Sequence, residues 1–350
     1  MEERLFNTGA LIDQRTEDEK KKDWYSEEAF ASTPVVWTEK VAWKSYPIFR
    51  QWYTGQCVAQ STTKALGIRN QQETGEFYRG SPTDFYDHRA NKPGAGMNWI
   101  DAMEIAVAFG ACKDERIPQP KYEYDIKPVV RTEEMIREAF DKAAKNYFTV
   151  QDRSIDSIAS VIEREGFCLL WFWFDVNGAE WWKNQPSILY PSLGTYDANA
   201  TRHAVIAVDY ALIGGKKYLI IEDSAGNSSA INQNQRIISE DFMKRCFVAG
   251  FPIDKKNLDY KVDNKPKFKF TRTLRLGAKG KDVKALQEIL VYEGLLNLKT
   301  TTENFLGMTL KAVKLYQEKY ADEILKPSGL TQGTGFVGNA TIAHLNKKYS

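Results

Sequence analysis

Histidine is scarce in this chain: His88, His203 and His344 are the only three in 350 residues. Zinc centres draw on His, Cys and carboxylate ligands at short spacings, and these histidines are scattered, so no metal is expected. Cysteine is equally sparse. The four, Cys57, Cys112, Cys168 and Cys246, form no CxxC pair, which argues against a disulfide framework and against a thioredoxin-type redox pair. Cys168 lies in the apolar run FCLLWFWF, and three packed thiols with one used thiol is the simplest assignment. An excess of one charge is also missing. A net charge of +2 gives no ground for a nucleic-acid partner. The apolar runs fall short of the roughly 20 residues that a membrane-spanning helix needs. The N-terminal MEERLFNTGALIDQRTEDEKKKDW carries no apolar h-region, so a secretory signal is not expected. A protein working outside the cell would then leave by lysis or be assembled into a virus particle.

What is present describes a globular protein of up to two domains with a sizeable core. Aromatic residues make up 13%, enough for a large core or a ring-lined groove. The first half has helical spacing: QCVAQSTTKALGIRNQ, WIDAMEIAVAFG, RTEEMIREAFDKAAKNY and SIDSIASVIEREG, the last opened by a capping Ser and closed by Gly. The pattern then changes to short β-rich runs: FCLLWFWFD, HAVIAVDYAL, KKYLIIEDSA and KRCFVAGFPI. PVVW, ahead of the first helix, is a further candidate strand. Helices followed by strands predict an α+β fold.

The chemistry centres on Cys57. It opens the first long helix, where the positive end of the helix dipole favours thiolate over thiol. A thiol nucleophile needs a base, a group that fixes the base's tautomer, and donors aimed at the developing oxyanion. His203 begins one strand, and Asp223 follows one β-run later, so a hairpin brings the two together. Gln51, six residues before Cys57, offers an amide donor beside the Cys57 backbone N–H. Spacing alone leaves open the reading of Cys57 as a small buried hydrophobe.

Taken together, these segments resemble the papain-like cysteine peptidases. The order Gln51, Cys57, His203-Ala204-Val205, Asp223-Ser224-Ala225-Gly226 follows the family's Gln, Cys, H-A-V strand and N-S-W-G turn. GAGM (94–97) is similar to the family's Gly pair beside the substrate cleft, and PVVW to its mature N-terminus. The resemblance implies a two-lobed domain, one lobe helical and one an antiparallel β lobe, over residues 33–256. It implies Cys57 as nucleophile, His203 as base and then acid, Asp223 as orienter and Gln51 as oxyanion donor. It places Gly55 and Gly96 at the substrate, with Gly96 offering its backbone to an extended peptide, and it implies no cofactor. This chain departs from the pattern in four places. Asp223 replaces Asn, Ala225 replaces Trp, Val58 replaces an aromatic, and Thr54 stands near a missing disulfide cysteine.

Residues 1–32 read as a charged arm, and 257–271 as a Lys- and Pro-bearing linker. The remaining 272–350 contain three helical stretches, a small three-helix module. LRLGAKGKDVKALQ, AVKLYQEKY and GTGFVGNAT resemble the peptidoglycan-binding domain of wall hydrolases, with Leu306, Gly307 and Asn339 departing from its usual turn residues. His344 is read as a surface or packing residue. The combined expectation is a thiol peptide hydrolase acting on a peptide or protein, bound to peptidoglycan through 272–350, extracellular and wall- or virion-associated. The alternatives are a catalytically weak or inactive structural or adhesion component with the peptidase fold, for example of an assembled bacteriophage particle or other oligomer, and an amidase cutting peptidoglycan stem peptides.

Overall fold

The computed structural model describes residues 10–11, 35–38, 46–144, 147–150, 152, 154–174, 201–225, 235–253, 262, 264–296, 301, 303–305 and 307–350. Apart from Ala10–Leu11, the expected arm lies outside the described residues, as do Gly226, Leu306 and the first residues of the expected linker. The chain divides into two compact units. One gathers Met1–Met103, Asp114–Pro128 and Asn146–Asp254; the other gathers Glu104–Lys113, Val129–Lys145 and Lys255–Ser350.

The first unit is built around an antiparallel sheet and one buried helix. After a two-residue strand β1 (Ala10–Leu11), helix α1 spans Cys57–Thr74, α2 Pro82–Asp87, β2 Met97–Asn98 and α3 Trp99–Ala108. The end of α3 and helix α4 (Glu133–Asp141) count with the second unit. In the first unit, α5 (Ile155–Glu165) is followed by β3 (Cys168–Phe174), β4 (Thr201–Ile213), β5 (Lys216–Glu222), β6 (Gln235–Ser239), α6 (Glu240–Cys246) and β7 (Phe247–Phe251). The five long strands are ordered β6-β5-β4-β3-β7. Gly214 and Gly215 turn β4 into β5 with φ of 55° and 74°, the left-handed pair that a two-residue hairpin of type I′ requires. Phe172, Val205, Leu219, Ile221 and Ile238 on the strands pack with Ile158, Val161 and Ile162 of α5.

Helix α1 is buried at every position from Cys57 to Arg69, on all its faces. Its buried hydroxyls are satisfied by carbonyls of the preceding turn, as burial demands. Ser61 donates to the Cys57 carbonyl at 2.8 Å, Thr62 to Val58 at 2.7 Å and Thr63 to Ala59 at 2.8 Å. Lys64 donates to the Pro47 carbonyl at 2.9 Å and pairs with Glu222.

The α+β expectation holds, with local differences. Residues 35–38 form no strand. The run KRCFVAGFPI is divided: Phe242, Met243 and Cys246 are buried at helical spacing in α6, and the strand begins only at Phe247. Cys57, Cys112, Cys168 and Cys246 are all buried and unbridged.

The second unit contains helices α7 (Lys281–Tyr292), α8 (Gly307–Lys319) and α9 (Asn339–Tyr349), with a one-turn helix at Ala321–Ile324. One device occurs in it twice. Buried Gln287 donates to the Asn304 carbonyl and to Thr309 Oγ1, both at 3.0 Å. Buried Gln317 donates to the Phe336 carbonyl at 2.7 Å and to Thr341 Oγ1 at 3.0 Å. In each case a mid-helix amide fastens the following loop and the start of the next helix. His344 packs half-buried, with Nδ1 2.9 Å from Tyr316 Oη.

Candidate active site

Strand β4 carries His203 opposite Phe172 of β3, whose ring meets the imidazole edge-on at 5.8 Å between centroids. Asp223 follows β5, and its Oδ1 lies 2.6 Å from His203 Nε2, with both side chains fully buried. The Ala225 backbone N–H donates to the same oxygen at 2.9 Å. The other carboxylate oxygen, Oδ2, accepts from Arg236 Nε of β6 at 2.9 Å. Helix α1 packs against β4, and its first residue, Cys57, adds a hydrogen-bonding and a charge interaction to the His203 ring. No acidic side chain stands in the first turn of α1, so the positive helix end at Cys57 is not offset there.

These contacts govern the proton on His203. Burial works against a charged imidazole, but the Asp223 carboxylate and Cys57 outweigh it, and His203 is raised to about 9. Burial likewise opposes a charged Asp223, yet His203 and Arg236 hold that carboxyl below its ordinary range. The residues therefore favour a protonated imidazole beside an ionised carboxylate, the state that supports a thiolate–imidazolium pair.

Gln51 is fixed at both ends of its amide. Oε1 accepts from Ser224 Oγ at 2.8 Å, and Nε2 donates to the Thr54 carbonyl at 2.9 Å. Its backbone N–H donates to the Ser224 carbonyl at 3.0 Å. The turn that presents Asp223 thus also orients Gln51.

Gly55 and Gly96 meet backbone to backbone: a Cβ on Gly55 would stand 3.0 Å from Gly96 N and 3.2 Å from Tyr86 Oη. Their N–H groups are taken by a shared pair of side chains. Gly55 N donates to Glu123 Oε2 at 2.7 Å, Gly96 N to Tyr86 Oη at 2.6 Å, and Tyr86 Oη to Glu123 Oε1 at 2.9 Å. The next residues form β2, which pairs in parallel with β1, Ala10 opposite Met97 and Leu11 opposite Asn98. Ala10 is buried there.

The structure brings Cys57, His203, Asp223 and Gln51 together, and Gly55 beside Gly96. Sequence reasoning missed Arg236, Ser224 as the partner of Gln51, and the Tyr86–Glu123 clamp. Only Ser224 carried a signal, since it adjoins Asp223 in the quoted turn. Among the described residues no three His, Cys, Asp or Glu side chains cluster as metal ligands, and no helix is long and apolar enough to cross a membrane.

No protein-family model matches the chain, and no curated protein matches it. Solved structures do. Xylellain, a cysteine protease from Xylella fastidiosa, superposes with a TM-score of 0.56 at 15% identity, over 73% of this chain and 99% of that one. Procathepsin B S9 from Trypanosoma congolense matches at 16% identity and a TM-score of 0.49, over 73% and 88%. The likeness to xylellain, together with the mixed helices and antiparallel sheet, shows that the chain has the α+β fold of the papain-like cysteine proteases.

Proposed function

We propose that the chain is a cysteine-type peptide hydrolase, with residues 33–256 as its catalytic domain and 272–350 as a module that holds it on bacterial peptidoglycan. The observation that carries the first part is the buried series in which His203 interacts with both Cys57 and Asp223. A strand edge at Met97–Asn98 lies next to Gly96 and accepts an extended segment. That is how a substrate peptide would be held, by backbone pairing.

The steps follow from these positions. His203 takes the Cys57 proton, and the sulfur attacks the scissile carbonyl carbon, moving its electron pair onto oxygen. The Gln51 amide and the Cys57 backbone N–H receive that oxyanion. His203 then returns its proton to the leaving amine, and a thioester remains on Cys57. Water, deprotonated by the same imidazole, attacks the thioester and releases the acid. Asp223 holds the ring in one tautomer throughout. These steps use this chain's own side chains and water.

The reading of 272–350 rests on the phrases LRLGAKGKDVKALQ, AVKLYQEKY and GTGFVGNAT and on the compact helical unit that contains them. Placing the enzyme on a wall makes stem peptides and wall-associated proteins the two substrate classes. The test uses the full chain and its Cys57→Ala variant on a fluorogenic peptide, on casein and on purified sacculi. Hydrolysis lost in the variant, with co-sedimentation on sacculi retained by both, is the expected result. A variant that still hydrolyses at the parent rate refutes the peptidase, and failure to sediment refutes the wall module.

A further inference from the structure

Asp223 is a carboxylate held in a fully buried site, and a buried carboxylate needs donors on both oxygens. His203 and the Ala225 N–H meet Oδ1; Arg236 Nε meets Oδ2 at 2.9 Å. Three donors on two different oxygens fix the rotation of the carboxylate plane, and with it the direction in which Oδ1 faces the imidazole. Arg236 is 5% exposed, so its charge acts in a dry environment where pairing is strong. Its place follows from the fold: β6 pairs with β5 so that Arg236 stands across from Ile221, two residues before Asp223.

We propose that Arg236 is a positioning residue of this site: its guanidinium locks the Asp223 carboxylate onto His203 and offsets its charge, so that Asp223 and Arg236 together act as one neutral orienting unit. The catalytic meaning of this unit rests on the peptidase reading above. Without Arg236, the carboxylate's second oxygen loses its charged donor, and the ring faces a whole uncompensated negative charge. Among the described residues, the other charged groups lining the cavity beside Asp223 are Lys64 and Glu222, which pair with each other.

The charge balance gives a test that a merely structural ion pair would not pass. In Arg236→Gln, the lost positive charge lets His203 keep its proton to higher pH, so its titration midpoint, read by NMR, rises by roughly one pH unit. In the same variant kcat at neutral pH falls roughly tenfold with KM little changed. Arg236→Lys keeps the charge and leaves the midpoint near that of the parent. Asp223→Asn alone turns an amide N–H toward the guanidinium, donor against donor, and lowers kcat about as much as Arg236→Gln. The double variant Asp223→Asn/Arg236→Gln restores a compatible chain: the Asn amide donates to the Gln oxygen while its own oxygen accepts from His203. It recovers to within about threefold of the parent, a non-additivity that marks direct coupling. An unmoved His203 midpoint in Arg236→Gln overturns the proposal. So does a double variant whose losses simply add. If Arg236→Gln alone does not fold, the double variant decides: a kcat far below the parent's overturns the proposal. Because the His203 titration needs no substrate, an inactive parent with a shifted midpoint would sink only the peptidase reading.

Discussion

His203 Nε2 and Asp223 Oδ1 lie 2.6 Å apart with neither side chain exposed to solvent. This contact governs the protonation of the candidate site. The ring is raised to about 9 and the carboxyl is lowered. A protonated His203 is needed to protonate the leaving amine, so kcat/KM falls as pH rises through about 9. An alkaline limb near the ordinary histidine value, about 6.5, would show that Asp223 does not support the imidazolium.

The same contact stabilises the fold within a defined pH window. A raised histidine contributes fully below its unfolded value of about 6.5, and its contribution is lost as pH climbs through about 9. A lowered carboxyl contributes above its unfolded value of about 3.9 and is lost as pH falls below it. The stability gap between the parent and Asp223→Asn is therefore widest between about pH 4 and 6.5 and narrows toward 9. Urea midpoints measured across that range check it; a gap that widens above neutrality contradicts the assignment.

Gln51 is oriented by Ser224, whose hydroxyl donates to Oε1 at 2.8 Å. Removing an oxyanion donor costs on the order of 100-fold or more in kcat with little change in KM, and Gln51→Ala is expected to behave in this way. Ser224→Ala keeps the amide but frees its rotation, so a smaller loss, roughly fivefold, is expected. If Ser224→Ala matches Gln51→Ala, Ser224 has a role of its own rather than acting through Gln51.

Ala10 and Leu11 occupy the backbone edge of Met97–Asn98, where a substrate peptide would pair. An Arg at position 10 must place a charge where Ala10 is now buried, which is unfavourable by several kcal/mol for an unpaired group. Ala10→Arg is therefore expected to release this segment, raising kcat/KM and the rate at which iodoacetamide alkylates Cys57. Unchanged alkylation with unchanged activity would mean that the segment does not compete with substrate.

How far the site could be read in advance depends on the range of each interaction. Cys57 at a helix start, His203 at a strand start and Asp223 one hairpin later are local patterns, and the structure joins them through the β4–β5 hairpin. Arg236 had no such pattern. It reaches Asp223 only because β6 pairs with β5, a register that the sequence does not display, and its own run QRIIS gives a short strand with no marker of function. Glu123 and Tyr86 were invisible for the same reason: each reaches the glycines across the fold, 68 and 10 residues away in sequence. In the second unit, the paired Gln287–Thr309 and Gln317–Thr341 ties are separated by 22 and 24 residues. The helices between them were legible from apolar spacing, whereas a repeat resting on one buried amide in each helix leaves little trace.

Lys64 and Glu222 form an ion pair with side chains only 4% and 8% exposed. Lys64 also donates to the Pro47 carbonyl at 2.9 Å and lies 5.6 Å from the centroid of the Phe49 ring. The pair joins the buried helix that begins with Cys57 to the strand end that precedes Asp223, so it ties together the two elements that hold the nucleophile and the orienter. Deleting one partner leaves the other charge buried and uncompensated, which costs about 3–5 kcal/mol, whereas replacing both by groups of similar volume is often nearly neutral. Lys64→Met is thus expected to lower stability by about that amount, and Lys64→Met/Glu222→Gln to recover most of it. Urea denaturation of the full chain measures both. Residual activity separates two roles for the pair. A double variant that is stable yet slow places the pair in the alignment of Cys57 against His203, and a double variant as unstable as Lys64→Met rules out charge pairing as the source of the effect.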